Sequence, residues 1–186
     1  MQLSGLILSG GKSSRMGQDK AGLSYRNQAF LEKAIQLASQ RCSQVFISSS
    51  HEHHVVPGVT RIPDAYPSDG PLSGLVSALD FYTAEAWLLL AVDLPLLRSD
   101  SLDLLLQLAH PEKVTAYSIA GLPDPLFAIY PKASFAAIQA YYQAGKRKMR
   151  GLLMELHYHE IKAEDYPALS LPEQLHNVNR PDDIHW

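Results

Sequence analysis

Cysteine is almost absent from this chain. Cys42 is the single one in 186 residues, which excludes an internal disulfide and fits a reducing compartment. At the end of a helical stretch, it reads as a small packing residue rather than a nucleophile. Charge of one sign is also lacking. The formal net charge is -3, so there is no global basic field and bulk nucleic-acid binding is not expected. Long apolar runs are missing too. No segment approaches the length of a membrane-spanning helix. The first apolar run, Leu3 to Leu8, is too short for a signal peptide and contains Ser and Gly. Neither repeats nor low-complexity segments occur. The expectation is one soluble, cytoplasmic domain over residues 1–186, bound to neither nucleic acid nor membrane.

Two familiar phosphate-binding motifs are absent as well. The Walker A pattern G-x-x-x-x-G-K-[ST] fails by one residue in either register. Gly5 and Gly10 have the spacing, but Gly11 follows where Lys is required. Gly11-Lys12-Ser13 has the right ending, but Leu6 stands where the first Gly belongs. There is also no Gly-x-Gly here for a dinucleotide fingerprint.

What is present is a strong alternation of apolar runs and helical patterns, with a hydrophobic content of 46%, ample for a core. Strands are predicted at Leu3–Ser9, Gln44–Ser49, Gly58–Ile62, Trp87–Val92, Lys113–Ile119 and Pro125–Tyr130. Helices are predicted over Gln28–Arg41, from Pro71 with its Leu72, Leu75, Val76 and Leu79 stripe, from Asp100 through Leu108, and from Pro131 to Gly145. Trp87–Val92 has the nearly continuous apolar pattern of a strand covered on both faces. His157 and His159 read as the polar face of an edge strand. Strands separated by helices imply right-handed crossovers and an α/β fold, a three-layer αβα arrangement around an open, mostly parallel twisted sheet. Ligands of such sheets lie beyond the carboxyl ends of the strands. That rim would carry both Asp93 and the loop after Leu8.

The loop is the most informative stretch. Leu3–Leu8 runs straight into Ser9-Gly10-Gly11-Lys12-Ser13-Ser14-Arg15-Met16-Gly17-Gln18-Asp19-Lys20. Gly10 and Gly11 let bare backbone approach a ligand, and successive N–H groups in such a turn form a nest for anions. Lys12, Arg15 and Lys20 add cationic donors.

Other candidates follow along the chain. Asp93 ends the apolar run and precedes Leu94-Pro95. A carboxylate at the mouth of a buried strand suits a divalent cation, although a turn Asp before Pro95 reads the same way. Asp64 and Gly70-Pro71 alone would be a loop residue and a helix start. Gly74 inside a helix costs roughly 1 kcal/mol against Ala, a cost that close approach of a ligand or neighbouring backbone would justify. Asn177 and Asn179 could hold a ligand or lead into a helix begun by Pro181. Lys146–Arg150 is a basic run of the kind that usually faces solvent. His51-Glu52-His53-His54 lacks a second ligand group and is not read as a metal site.

The segment L-S-G-G-K-S-S-R-M-G-Q-D-K resembles the signature of sugar-nucleotidyltransferase-like enzymes, L-x-G-G-x-S-x-R-M-G-x-D-K. Within them the chain is most similar to the molybdenum cofactor guanylyltransferases. The resemblance continues in order through Asp64, Gly70-Pro71-Leu72-Ser73-Gly74, Val92-Asp93-Leu94-Pro95, Pro125, Gly145-Lys146-Arg147 and Asn177-Val178-Asn179. It implies transfer of GMP from GTP to molybdenum-loaded molybdopterin. Leu8, Ser9, Gly10, Gly11, Lys20, Ser48, Asp64, Gly70 and Asp93 would bind the nucleotide. Arg15, Lys20 and Asp93 would be catalytic, and Asp93 would hold Mg²⁺. Arg147, Asn177 and Asn179 would meet the acceptor. A molybdenum insertase and a molybdoenzyme become plausible partners. The family often carries Asn where this chain has Ser48, which leaves CTP or another nucleotide as an alternative; a non-catalytic nucleotide-binding module is the alternative of a different class.

Overall fold

The computed structural model describes residues 2–9, 24–25, 28–49, 56–65 and 69–178. At its centre β1 (Leu3–Leu8) and β6 (Ala86–Ala91) run parallel, with every residue of both buried. That double-sided burial is why their sequences are apolar without alternation. β4 (Gln44–Ser49) and β5 (Thr60–Pro63) extend the sheet in parallel beyond β1. On the other side lie β7 (Thr115–Ile119), β8 (Leu122–Pro131) and β9 (His159–Lys162). The strand order is β5-β4-β1-β6-β8-β7-β9. A separate two-stranded pair joins β2 (Ser24–Tyr25) to β3 (Gln28–Ala29).

Successive side chains of a strand point to opposite faces, and the sheet uses both. Ile7, Ile47, Leu88 and Leu90 pack in one core with residues of α1 (Phe30–Ser39) and α3 (Ser99–Gln107). Leu6, Phe46, Trp87 and Leu89 pack in the other with α2 (Pro71–Phe81), α4 (Phe135–Gln143) and α5 (Met149–Glu155). The result is the expected three-layer αβα architecture with a mostly parallel sheet. Among the described residues no helix is long and apolar enough to cross a membrane.

Several local expectations change in detail. The helix expected from Gln28 starts at Phe30, because Gln28–Ala29 pairs with Ser24–Tyr25. Pro131 closes β8 rather than opening a helix. It pairs with Ala86, and Lys132 N–H continues the pairing by donating to Glu85 O at 2.8 Å. A single 3-10 turn, Lys132–Ser134, then leads into α4, which the positive φ of Gly145 follows. β8 is antiparallel to both β6 and β7. The cause is the two-residue turn Ala120-Gly121, with φ of 49° and 74°, since such a tight turn joins only antiparallel strands. The expected edge strand is β9, which begins at His159 and leaves His157 ahead of it.

Cys42 packs beneath β1. A Cβ on Gly5 would lie 3.2 Å from Ala38 Cβ and 3.3 Å from Cys42 Sγ, so glycine makes room for the thiol and the helix end. Burial pushes the Cys42 thiol up to about 12. The thiolate is the reactive form, so Cys42 should resist iodoacetamide at pH ~8 in the folded protein and react readily once unfolded. Rapid alkylation under native conditions would contradict this packing.

Candidate active site

The chain leaves β1 to build β4 and β5 on one side, then returns through α2 to β6 on the other. Open α/β sheets bind ligands where the strand order reverses, beyond the carboxyl ends. The rim here is laced by backbone. Ser9 N–H donates to Ser48 O at 3.0 Å, and Val92 N–H donates to Leu8 O at 3.2 Å. Leu8, Ser9 and Ser48, each buried, thus sit side by side with the turn that carries Asp93.

α2 closes one flank of this rim. Gly70 precedes it with φ 79° and ψ -162°, and Pro71 is its first residue, where a missing N–H costs nothing. Ser73 is fully buried, and its Oγ lies 2.7 Å from Gly70 O and 3.1 Å from Asp64 Oδ2. Ala65 N–H donates to Ser77 Oγ at 3.1 Å. These contacts hold the Asp64 carboxylate against the first turn of α2. Gly74 faces the strand ends directly. A Cβ there would lie 2.7 Å from both Leu8 Cδ2 and Ser48 Oγ. The close approach suspected from sequence is therefore to neighbouring side chains, and Ser48 presents its hydroxyl to that helix.

Asp93 lies two residues past β6, half-buried, with Oδ1 shielded from solvent. Its carbonyl accepts from Val178 N–H at 2.9 Å, which brings Asn177 beside it from the far end of the chain. Lys33 Nζ donates to the carbonyl of Pro95 in the same loop. Across the sheet, β6 and β8 pair with Leu90 opposite Phe127. The start of β8, with Asp124, therefore lies at the same end of the sheet as the turn that carries Asp93. Burial raises the Asp124 carboxyl above its usual range and the charge of Asp93 adds to the rise. N–H groups of Leu126 and Phe127 and the charge of Arg150 oppose it. Arg150 is held there by its Nε bond to Pro123 O at 3.2 Å.

Arg147, in the turn before α5, is firmly engaged. Its Nε donates to Asp69 Oδ2 at 2.8 Å, and its Nη1 donates to Tyr142 O at 2.6 Å and Lys146 O at 2.9 Å. The guanidinium stacks on the Tyr142 ring, 3.8 Å from its centre. The Tyr142 hydroxyl donates to the same Asp69 oxygen at 2.6 Å. Bonds from Tyr142 and Arg147 hold the Asp69 carboxyl below its usual range.

Of the residues singled out from sequence, Leu8, Ser9, Ser48, Asp64, Gly70, Asp93 and Asn177 belong to this rim and its flank. Arg147 is tied to Asp69 just ahead of Gly70. Gly10, Gly11, Lys12, Arg15, Lys20, Asn179, Pro181 and His51–His54 lie outside the described residues. Asp69, Tyr142 and Asp124 were not foreseen as site residues. For Asp124 the available signal was a carboxylate between two prolines at a strand entry.

The fold and its carboxyl-end rim define the class of architecture, an open α/β sheet with a ligand site at its switch point. Residues 5–161 match the family described as the MobA-like NTP transferase domain, and the chain belongs to that family. It is 31% identical over 186 residues to a probable molybdenum cofactor guanylyltransferase of Flavobacterium johnsoniae, covering 98% of this chain and 95% of the relative. It is 29% identical over 190 residues to the molybdenum cofactor guanylyltransferase of Rhizobium johnstonii, covering 98% and 90%. Among solved structures, molybdopterin-guanine dinucleotide biosynthesis protein A from Archaeoglobus fulgidus superposes with a TM-score of 0.77 at 20% identity, over 97% of this chain and 94% of that one. The 2-C-methyl-D-erythritol 4-phosphate cytidylyltransferase of Thermus thermophilus shares the fold, with a TM-score of 0.67 at 12% identity over 96% and 93%.

Proposed function

We propose that this MobA-type NTP transferase moves GMP from GTP to the terminal phosphate of molybdenum-loaded molybdopterin and releases pyrophosphate. The observation that carries the reading is the nearly end-to-end similarity to molybdenum cofactor guanylyltransferases. An acceptor phosphate oxygen attacks the α-phosphorus in line, and the bond to the bridging oxygen breaks with its electron pair leaving on pyrophosphate. An ionised phosphate needs no general base, so catalysis consists of positioning and charge neutralisation.

The backbone from Leu8 to Gly11 holds the triphosphate and base, flanked by Ser48, Asp64 and Gly70. Arg15 and Lys20 offset the growing negative charge. The donor set at the rim fits Mg²⁺: Asp93 offers hard carboxylate oxygens, and Asp124 is near enough for the charge of Asp93 to raise its carboxyl. Mg²⁺ characteristically takes one or two carboxylates and completes its shell with phosphate oxygens and water. Asp93 would hold it, and the bound ion would supply charge neutralisation across the phosphates. Asn177, Asn179 and Arg147 meet the acceptor. Ser48 in place of the family's Asn makes the base the part of this reading to be tested first, with CTP as the alternative.

The test is pyrophosphate release with Mg²⁺ and each of GTP, CTP, ATP and UTP, with and without the loaded acceptor. Release with GTP that depends on the acceptor is expected. Release with CTP alone would move the base and keep the mechanism. Silence with all four would remove the transferase reading of this site.

A further inference from the structure

Asp69, Tyr142 and Arg147 come from two distant segments and converge on one oxygen. Asp69 Oδ2 receives the Tyr142 hydroxyl at 2.6 Å and Arg147 Nε at 2.8 Å. Tyr142 in turn carries the guanidinium on its ring and accepts Nη1 at its carbonyl. The Arg147 and Asp69 side chains are 37% and 33% exposed. At that exposure an isolated ion pair contributes little to stability. This one is not isolated: its geometry is fixed by a stacked ring, two carbonyls and a shared carboxylate oxygen, an arrangement that sets position.

What it fixes is the residue next door. Gly70 has φ 79° and ψ -162°, a region open to glycine and essentially closed to other residues, so the glycine's own freedom leaves the direction of the chain to be set by its neighbours. On its C-terminal side Gly70 O is held by Ser73 N–H at 3.2 Å and lies 2.7 Å from Ser73 Oγ. On its N-terminal side the anchor is Asp69. Gly70 leads into the turn of α2 that sets Gly74 against Leu8 and Ser48.

We propose that Asp69, Tyr142 and the Nε edge of Arg147 form a clasp that positions the Gly70–Gly74 segment for the nucleoside triphosphate. Asp69 and Tyr142 are thus positioning residues for nucleotide binding. The inference rests on the nucleotidyltransferase reading of the rim.

The test measures binding of GTP with Mg²⁺ by equilibrium dialysis, without acceptor, for the native chain, Asp69→Ala and Tyr142→Phe. Tyr142→Phe removes a single oxygen and keeps the stacked ring, so it serves even if Asp69→Ala folds poorly. Losing hydrogen bonds to a charged group should weaken GTP binding about tenfold in Asp69→Ala and about threefold in Tyr142→Phe. Melting temperatures should move by less than about 4 °C. In turnover the loss should fall on the KM for nucleotide rather than on kcat. Native-like GTP binding in both variants, or a loss carried by kcat or by melting temperature alone, overturns the clasp and leaves the transferase reading standing. A native chain that binds none of the four nucleoside triphosphates overturns that reading, and the clasp with it.

Discussion

Asp93→Ala will lower kcat by about a thousandfold, the several kcal/mol that a metal-held phosphate contributes to the transition state, while the protein still folds. The side chain lies beyond the end of β6, and its backbone does the structural work. The Asp93 carbonyl accepts from Val178 N–H, a bond that alanine keeps. Burial raises the Asp124 carboxyl above its usual range, and the charge of Asp93 adds to the rise. Two ionised carboxylates at one strand mouth repel each other, and a cation relieves that repulsion. Removing Asp93 takes away one of the two influences holding Asp124 up, so Asp124 should titrate closer to an ordinary carboxylate in the variant. Asp93→Asn separates shape from charge and should be nearly as inactive as the alanine variant. Steady-state pyrophosphate release at saturating GTP, alongside thermal melting, measures both. Turnover above about a tenth of native in either variant is incompatible with a loss of this size and would remove the metal role.

The parts of this architecture that were legible in the sequence are those set by local chemistry. The run from Trp87 to Val92 announces a strand buried on both faces, and a carboxylate directly after it stands out because burying one is costly. Pro71 marks the start of α2 because proline fits a first helical position. The loop around Gly10, Gly11, Arg15 and Lys20, read from its glycines and cations as a phosphate holder, lies outside the described residues. Other features depend on partners far along the chain. Asp69 looks like an ordinary loop residue because its partners Tyr142 and Arg147 come 73 and 78 positions later. Asp124 shares the end of the sheet with Asp93 because β8 runs antiparallel beside β6. Nothing local fixes that pairing. Asn177 reaches the rim through one backbone bond from the adjacent Val178, which no periodicity could reveal.

Gly74 is where local propensity and tertiary packing oppose each other most sharply, and the outcome can be read in a two-step series. In an exposed helix, Gly→Ala should gain about 1 kcal/mol. At Gly74 the new Cβ would lie 2.7 Å from Leu8 Cδ2 and from Ser48 Oγ. Leu8 and Ser48 are 7% and 3% exposed, so neither has open space into which to retreat. Overpacking of such a site costs on the order of 1–3 kcal/mol. Gly74→Ala should therefore come out slightly destabilising, the propensity gain nearly offsetting the clash. Gly74→Val adds two methyl groups and loses helix propensity, so it should destabilise by about 3 kcal/mol and lower the melting temperature by roughly 6–12 °C for a chain of this size. Ser48→Ala removes one of the two colliding atoms, so combining it with Gly74→Ala should recover part of the loss through a non-additive term. Denaturant melts of the native chain, Gly74→Ala, Gly74→Val, Ser48→Ala and the double variant measure it. If Gly74→Val is as stable as the native protein, α2 does not sit this close to the ends of β1 and β4. Because Leu8 and Ser48 line the rim, the same valine should also weaken GTP binding, and that weakening should persist at temperatures well below its melting transition.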